Sequence, residues 1–485
     1  MTLALLGAIA APAPAQWSPP VRISEPGGHA SPQIMAQGDT LHIVVEDFGP
    51  SDAIGYYRSA DGGLTWSNLT VLSDDSCQTL FPRIIGDGPM LMALWKNHFY
   101  YIGPISNNIG YSLSSDDGAT WTPPQYVLNP SWEHILYFAA SGDSQMVHIV
   151  LNSQVGDSLV FYSIRSTDFG TSWSIPQDIF WTLASDIPDQ FSINNFVHLV
   201  WAGFFRSGEA GDVYYIRSTD GGVNWSTNIA LSTVDEHPSE LASVCGQGDT
   251  NLAVCWMDFK YSPYWTSGDI LMRSSTDSGL IWDPERQATF SHYAWDSDIA
   301  SNWDTIHIAW VDEGTGLIHR SIYYTRSTDN GITWDEPYWL DQTLDDSADP
   351  ALDISNGKVY CVWSDGRPNP DTSVIGGLYL TRWDPEPDAI DENHENLPDR
   401  IAFSAYPNPF NSSVIITFSA LKGGDIKIYD IKGALVRAFS LEEKGDGKII
   451  WDATDASGKK VSSGTYFAKA ETPQKSYSIQ LLYLK

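Results

Sequence analysis

The amino-acid sequence predicts an all-β protein, a seven-bladed β-propeller followed by a small β-sandwich. Three observations indicate this fold. An eight-residue pattern recurs at regular intervals, the last repeat lacks a strand that the beginning of the chain supplies, and the pattern changes in the final residues. Recurrence at a fixed period is typical of folds that repeat one supersecondary unit.

The recurring pattern is Ser-x-Asp-x-Gly-x-x-Trp, here called the octet, and it occurs six times. Subtracting the positions of its aspartates gives spacings of 55, 52, 52, 57 and 52 residues for Asp61, Asp116, Asp168, Asp220, Asp277 and Asp329. Aspartate can accept hydrogen bonds from backbone N–H groups of its own turn, and glycine adopts turn conformations that cost other residues energy. Because every repeat carries the same aspartate, we predict that all six are structural.

Residues 294–340 predict the strands of one blade. A short strand at 298–301 precedes an apolar strand at 305–311, and a third strand follows at 321–326. The octet then forms the turn into a fourth strand at 334–340. Four antiparallel strands arranged in this way form a propeller blade.

A seventh unit has three strands, at 352–355, 359–363 and 378–382, and no octet. Its missing fourth strand is predicted at residues 17–24, because WSPPVRIS resembles WTPPQYVL at 121–128, which follows an octet. Pairing of the two ends in one blade would close the ring and remove free sheet edges.

The octets resemble Asp-boxes, the turn motif of sialidase-like β-propellers, which are also called BNR repeats. The six matches span about 275 residues. The resemblance implies a propeller of a superfamily that binds or cleaves glycans. Sialidases usually have six blades, so the seventh blade predicted here is a departure from them.

The chain carries 27 basic and 60 acidic residues and a net charge of −33. Such a surface repels nucleic acid and anionic lipid, so neither is expected as a partner. It suits bound cations such as calcium, but there is no motif for a metal or another cofactor. Residues 1–15 are predicted to be a secretory signal peptide, and no other apolar stretch approaches the length of a membrane span.

The propeller is predicted at residues 16–383 and is followed by an acidic linker at 384–400. Residues 401–485 form a separate β-sandwich with the strings YPNPFN, WDATDASG and SGTYF and an apolar strand before the terminal Lys485. These strings resemble the C-terminal sorting domain of type IX secretion cargo. An ordinary immunoglobulin-like accessory domain is the alternative. The resemblance implies a secreted or cell-surface protein that the type IX secretion machinery handles.

Residues that recur in equivalent places are predicted to be structural. Histidines share one position in second strands, and arginines share one position before the octets, where we expect them to pair with neighbouring blades: His42, His148, His198 and His307, and Arg58, Arg165, Arg217, Arg326 and Arg382. Cys245 and Cys255 are predicted on neighbouring strands, which leaves a disulfide and two buried thiols as alternatives.

Site candidates are therefore unshared residues on the face opposite the octets. Four arginines meet this condition: Arg83, Arg206, Arg320 and Arg367. A sialidase grips its substrate's carboxylate with three arginines. Its family signature, Phe-Arg-Ile-Pro, is scrambled here to Phe81-Pro82-Arg83-Ile84 in the second unit. A sialidase also uses a tyrosine nucleophile, and loop tyrosines include Tyr100, Tyr101, Tyr261, Tyr264 and Tyr293.

Acidic and aromatic residues crowd the same face. A carboxylate pair could act as acid and base of a glycosidase, although solvated loops explain most of the set: Asp74, Asp75, Glu133, Asp235, Glu236, Asp296, Asp298, Asp345, Asp346 and Asp349. The aromatic residues could form a sugar-stacking floor, and core packing is the alternative for about half of them: Trp95, Trp132, Phe204, Phe205, Tyr264, Trp265 and Trp295.

Two functions remain open. The first is a secreted propeller that binds, and in a catalytic version hydrolyses, an extracellular glycan or glycoprotein. The second is a noncatalytic surface protein whose propeller binds or displays protein. Because propellers with these turns host both, the fold alone does not decide between them.

Overall fold

The structure is a computed structural model of the chain. It describes residues 17–25, 27–48, 52–73, 78–99, 106–128, 134–143, 145–185, 187–204, 210–262, 267–314, 320–341, 346–368, 375–384, 403–406, 410, 412–418, 425–430, 432, 434–440, 447–471 and 476–484. The predicted signal peptide and all but the first residue of the predicted linker lie outside these ranges. The chain divides into two compact units at residues 386 and 387.

The described part of the first unit contains strands and no helix. The strands are β1 (Val21–Arg22), β2 (His29–Gln37), β3 (Thr40–Asp47), β4 (Ala53–Ser59), β5 (Thr70–Val71), β6 (Gln78–Asp87), β7 (Met90–Phe99), β8 (Ser106–Ser114), β9 (Gln125–Tyr126), β10 (Ile135–Gly142), β11 (Val147–Val155), β12 (Ser158–Ser166), β13 (Gln177–Thr182), β14 (Ala184–Ser185), β15 (Asp189–Ile193), β16 (Phe196–Phe204), β17 (Asp212–Ser218), β18 (Ile229–Ala230), β19 (Ser239–Gln247), β20 (Asn251–Asp258), β21 (Asp269–Ser275), β22 (Arg286–Gln287), β23 (Ala294–Asn302), β24 (Thr305–Asp312), β25 (Ser321–Ser327), β26 (Tyr338–Trp339), β27 (Ser347–Ser355), β28 (Lys358–Pro368) and β29 (Ile375–Trp383).

These strands form seven antiparallel sheets in the described residues, here called blades 1 to 7. Blades 1, 2 and 3 are β2–β5, β6–β9 and β10–β13, blade 4 is β14–β18, and blades 5 and 6 are β19–β22 and β23–β26. Blade 7 combines β27, β28 and β29 with β1 from the beginning of the chain. The innermost strands contact one another in the order β2, β6, β10, β15, β19, β23 and β27, and β27 contacts β2. The sheets therefore close into a ring, as a β-propeller does.

The octets form the predicted turns. In the first octet, Asp61 Oδ1 accepts hydrogen bonds from the backbone N–H groups of Leu64 (3.1 Å) and Thr65 (2.9 Å). All six octet glycines have positive φ, from 73° to 87°, which glycine adopts without steric cost. The outer strands are shorter than predicted, and β26 has only two residues, because the chain after the octet pairs with its neighbour only briefly.

The middle strands carry most of the core. The second strand of blade 6 is buried at every position except its first, as its continuous apolar pattern predicts. A tryptophan recurs near the end of the second strand and is at most 1% exposed in five blades: Trp95, Trp201, Trp256, Trp310 and Trp363. Trp95 is therefore a core residue and not part of a sugar-binding floor.

The second unit contains β30 (Phe403–Tyr406), β31 (Val414–Phe418), β32 (Asp425–Asp430), β33 (Leu435–Ser440), β34 (Gly447–Trp451), β35 (Gly464–Glu471) and β36 (Ser476–Tyr483). They form two sheets, β30-β31-β34 and β33-β32-β35-β36. A shared core includes Phe410, Trp451, Tyr466 and Tyr483, and this two-sheet packing is that of a β-sandwich.

The octets and the beginnings of the inner strands lie at opposite ends of each blade. The octet backbone contacts the turn between the first two strands, as where the N–H of Asn330 donates to the carbonyl of Asp304 (2.8 Å). Each inner strand begins at the other end and contains a bulge near its start in six of the blades. The bulges therefore lie at the mouth of the central channel on the face away from the octets.

Candidate functional site

One residue of each inner strand occupies the same level of the channel. The level is defined by the pairing of the first two strands of each blade. In the second strand, the residue just before the buried tryptophan, or before the residue equivalent to it, pairs with one residue of the inner strand. The seven inner-strand residues are Gln33, Arg83, Ala139, Asp189, Ser243, Asp298 and Ala351. Their side chains differ from blade to blade. The functional groups at this level are therefore not part of the sequence repeat.

Just above this level, five residues other than glycine adopt left-handed backbone conformations. They are Ser31, Phe81, Leu241, Asp296 and Asp349, with φ between 46° and 55°. Such conformations are costly and persist where surrounding structure enforces them. The bulge recurs and belongs to the fold, whereas the side chains that it presents vary, with aspartate at two of these five positions.

The two levels enclose a cavity of about 190 Å³, here called the channel-mouth cavity. Its lining residues are Ser31, Pro32, Gln33, Phe81, Arg83, Ile187, Pro188, Asp189, Leu241, Ala242, Ser243, Asp296, Ser297, Asp298, Asp349 and Pro350. Four carboxyl groups and one guanidinium face this small volume. An arrangement of this kind changes the proton affinity of its members.

Two of these carboxylates hold neighbouring blades together. Asp298 accepts hydrogen bonds from the N–H of Leu352 (2.7 Å) and the hydroxyl of Ser243 (2.9 Å). Asp189 accepts one from the N–H of Val244 (2.9 Å). Burial raises the pKa of Asp298 to about 6 and also raises the pKa of Asp189. Both groups therefore have a structural role whatever else they do.

Asp296 and Asp349 form the second carboxylate pair. Burial raises the pKa of Asp296 to about 7, and repulsion from Asp349 adds to the shift. Asp349 accepts hydrogen bonds at Oδ2 from the N–H of Ser31 (3.0 Å) and the hydroxyl of Ser364 (3.1 Å). Asp296 therefore favours its protonated form more than an exposed aspartate does. Asp296 can thus donate a proton near neutral pH.

Arg83 brings positive charge to the same cavity. Its Nη1 donates to the carbonyl of Pro82 (3.1 Å), and no described carboxylate lies within 4.0 Å of its guanidinium. Its charge lowers the pKa of Asp189, although burial outweighs this effect. Arg83 therefore keeps donors for a ligand.

Arg320 lies at the rim, among groups of the neighbouring loops. Its guanidinium carbon lies 4.9 Å from the ring centre of Trp295, and its Nε lies 3.7 Å from Glu313. Its charge lowers the pKa of Asp296, the smallest of the effects on that group. Trp295 and Arg320 thus form a stacked pair beside the cavity and do not line it.

The structure brings together only part of the predicted set. Arg83 reaches the cavity, as do three of the predicted carboxylates, Asp296, Asp298 and Asp349. Arg206, Trp132, Tyr264 and Trp265 lie outside the described residues, and Arg367 lies on β28 with a side chain that is not described. Within the described ranges, no second arginine joins Arg83 in the cavity, so three convergent arginines are not found there.

Sequence reasoning missed Gln33, Asp189 and Ser243. The register between the first two strands of each blade could have found them. Each of the three pairs with the second-strand residue that comes just before the buried tryptophan or its equivalent. Each bulge adds a residue to the inner strand and reverses which side chains face the channel. Alternation of residue types along these strands therefore does not reveal the lining.

In the described part of the chain, no group of three or more His, Cys, Asp or Glu residues has the geometry of a metal site. The described residues also include no helix that is long and apolar enough to cross a membrane.

Residues 404–483 match the family described as the secretion system C-terminal sorting domain. No match was found among curated proteins. An ulvan lyase of a polysaccharide lyase family aligns with a TM-score of 0.51 and 10% identity over 74% of this chain and 95% of that one. A second structure of ulvan lyase, bound to -[GlcA(1-4)Rha3S]-, gives 0.50 and 10% over the same shares. A protein of unknown function from Dyadobacter fermentans gives 0.48 and 12%, over 76% and 99%.

The chain is thus a β-propeller protein that carries a secretion sorting domain at its C-terminus. The sorting domain makes it a secreted or cell-surface protein. At these identities the structural likeness establishes the fold alone.

Proposed function

We propose that this protein binds an extracellular glycan at the channel-mouth cavity and cleaves it by acid–base catalysis. One observation carries the proposal: Asp296, with its pKa near 7, lines the same cavity as Asp349, which accepts hydrogen bonds from Ser31 and Ser364. Glycosidic bond cleavage needs one carboxyl group as the acid and a second as the base. Asp296 would protonate the leaving oxygen as the glycosidic bond breaks, and Asp349 would take a proton from the water that attacks the anomeric carbon.

The charge of the cavity selects the class of sugar. Four carboxyl groups against one guanidinium disfavour an anionic sugar such as sialate. A neutral sugar fits better, because its hydroxyl groups can donate to carboxylates and accept from Arg83. The volume of about 190 Å³ falls below the roughly 300–1,000 Å³ of sites that enclose drug-sized ligands, so the cavity suits one sugar unit at a chain end.

The ulvan lyase with this fold was captured with a glucuronate–rhamnose 3-sulfate ligand. That precedent supports a glycan site on such a fold. The class of glycan that this protein binds depends on the residues that line its own cavity. The acidic cavity of this protein favours a different sugar from the anionic ligand of that enzyme.

The test combines a glycan array with a panel of fluorogenic glycosides assayed between pH 4 and 8. We expect turnover of a neutral glycoside and a loss of roughly 10²–10⁴-fold in Asp296→Asn, the range for removal of a general acid. The matched control is Asp353→Asn, which alters another buried channel carboxylate that does not line the cavity.

Glycan binding without turnover of any glycoside would leave a lectin and contradict the catalytic part. Equal turnover in Asp296→Asn would remove Asp296 as the acid. Absence of both binding and turnover would favour the display function instead.

A further inference from the structure

A second cavity lies on the octet face, between blades 3 and 4, far along the strands from the channel mouth. Its volume is about 240 Å³, and its lining includes Ser163, Arg165, Ile175, Gln177 and Gly222. Nothing in the proposed glycan site uses these residues. The cavity exists because blade 3 departs from the repeat at one position.

That position is the third residue before the octet serine. It is tyrosine in blades 1, 2, 4 and 6 and methionine in blade 5, and only blade 3 of these six has a small residue there: Tyr56, Tyr111, Ser163, Tyr215, Met272 and Tyr324. In blades 1 and 4 the side chain covers the octet glycine of the next blade. A Cβ on Gly118 would lie 1.8 Å from the Tyr56 hydroxyl, and one on Gly279 would lie 2.0 Å from that of Tyr215.

In blade 3 the same place is not filled by a ring. A Cβ on Gly222 would meet the Ser163 hydroxyl at 3.1 Å and His148 Nδ1 at 3.3 Å. The small Ser163 side chain, whose hydroxyl donates to the carbonyl of Gly222 (3.2 Å), thus stands where a tyrosine ring lies in four other blades.

His148 has lost the partner that its equivalents keep. In three blades the histidine Nδ1 bonds a tyrosine hydroxyl, at 2.8 Å for His42, 2.7 Å for His198 and 2.6 Å for His307. His148 is only 2% exposed, and neither of its ring nitrogens has a hydrogen-bond partner. A buried polar group without a partner is costly, so a ligand that bonds it gains affinity.

Arg165 departs from its equivalents in the same way. Arg58, Arg217 and Arg382 each donate to a backbone carbonyl of the next octet, at 2.7, 2.7 and 2.9 Å. The guanidinium of Arg165 makes no such bond to any described residue and instead lines the cavity. The expectation that Arg165 pairs with the next blade is therefore wrong.

Gln177 supplies a further partner for a hydroxyl group. Its Nε2 donates to the carbonyl of Val223 (3.0 Å), which leaves Oε1 as an acceptor. In blade 2 the equivalent glutamine, Gln125, accepts a hydrogen bond from the tyrosine hydroxyl of that blade (3.2 Å). A hydroxyl placed where that tyrosine lies thus has a partner in blade 3 as well.

We propose that this cavity, here called the blade 3 cavity, binds a small phenolic compound in place of the missing tyrosine side chain. The ring would lie beside Ser163 and Gly222, with Arg165 against its face, and the hydroxyl would bond Gln177. His148 does not line the cavity, but its Nδ1 lies next to Gly222, so the hydroxyl would reach it past that glycine. The cavity exceeds the roughly 150 Å³ that holds benzene in an engineered protein core. Ile175, which is 86% exposed, lies at the entrance.

The probe is p-cresol, which has the atoms of a tyrosine side chain beyond Cα, and the full chain is titrated by calorimetry and by thermal shift. We expect one p-cresol per chain, and roughly tenfold weaker binding of toluene, which lacks the hydroxyl. Ser163→Tyr should fill the cavity, raise Tm and weaken p-cresol binding at least tenfold.

Three results would overturn the proposal: wild-type protein that does not bind p-cresol, equal affinity for toluene and p-cresol, or unchanged binding in Ser163→Tyr. The comparison of toluene with p-cresol needs no variant, so it stands even if a substitution prevents folding. None of these readouts depends on glycan binding, so failure here and failure of the channel-mouth site are separable.

Discussion

Val21 lies opposite Leu380 in an antiparallel pair that joins the beginning of the described chain to the last strand of the propeller. Arg22 lies opposite Tyr379 in the same ladder, and the N–H of Ile23 donates to the carbonyl of Leu378 (2.8 Å). Trp17 packs edge-on against Tyr324 of blade 6, with ring centres 4.7 Å apart. The predicted pairing of the two ends is therefore confirmed, and Trp17 also ties blade 7 to blade 6.

Deletion of residues 16–24 should lower the stability of the whole propeller. Trp17 and Ile23 are each 9% exposed, and burial of such side chains stabilises by roughly 1.5–3 kcal/mol each. Val21 in the same segment is 37% exposed and should contribute little to this loss. Calorimetric melting should show one transition at lower Tm, and an unchanged melt would contradict ring closure by this segment.

Single substitutions make a matched pair for that deletion. Ile23→Ala should cost about 2–4 kcal/mol, whereas Val21→Ala should cost well under 1 kcal/mol, because only the first removes a buried side chain. Equal losses would show that the outer strand contributes by its backbone alone.

The octets, the closure of the ring and the C-terminal sorting domain could be predicted because each has a recognisable string of consecutive residues. Asp61 and its five equivalents show their role by repetition alone. The channel-mouth cavity could not be predicted in the same way, since Arg83, Asp189 and Asp298 come together only through ring closure. The registers of Arg83 and Asp298 also depend on bulges. The sequence does show that Ser163 replaces the tyrosine or methionine of the other blades that carry an octet. Only the structure shows that equivalent tyrosines, as in blades 1 and 4, contact the octet glycine of the next blade, and hence that a cavity lies beside Ser163.

Asp220→Ala should lower stability without changing ligand binding at either cavity. Asp220 Oδ1 accepts hydrogen bonds from the N–H of Asn224 (2.8 Å) and the hydroxyl of Ser218 (2.8 Å) within its own turn. Solvent screens this exposed group, so we expect a loss of about 1 kcal/mol, the low end for a lost hydrogen-bonding group.

Denaturant melts beside a binding titration measure both quantities for Asp220→Ala. Asp87→Ala, at an exposed aspartate near the end of β6, serves as the control and should be nearly neutral. Lost affinity in a fully folded Asp220→Ala protein would refute the structural role.

Cys245 and Cys255 should be free thiols that do not react in the folded protein. They lie on paired strands, but Cys245 is opposite Ala253 and Cys255 is opposite Ser243, and both sulfurs are unbridged. Burial raises the pKa of Cys245 to about 12 and also raises that of Cys255, so little reactive thiolate forms at neutral pH.

Mass spectrometry after maleimide treatment tests this directly. Both cysteines should stay unmodified in native protein and become modified in denaturant without any reductant. A pair that needs reductant before it reacts would reveal a disulfide and contradict the structure.

Asp353 should make stability fall as the pH rises from 4 to 7. Burial raises its pKa to about 6, above the value near 3.9 of an unfolded chain. A carboxyl group whose folded pKa is raised contributes stability that is fully present below the unfolded pKa and is lost as pH rises through the folded pKa. The amount at stake is on the order of 2 kcal/mol.

Asp353→Asn removes this titration and keeps an oxygen that can accept the hydrogen bond from the N–H of Ala36 (2.7 Å). The other channel aspartates titrate in both proteins, so their effect cancels in the difference. The Tm of Asp353→Asn minus that of the wild type should therefore become more positive by a few degrees between pH 4.5 and pH 7.5. A difference that stays constant over this range would show that Asp353 does not take up a proton on folding.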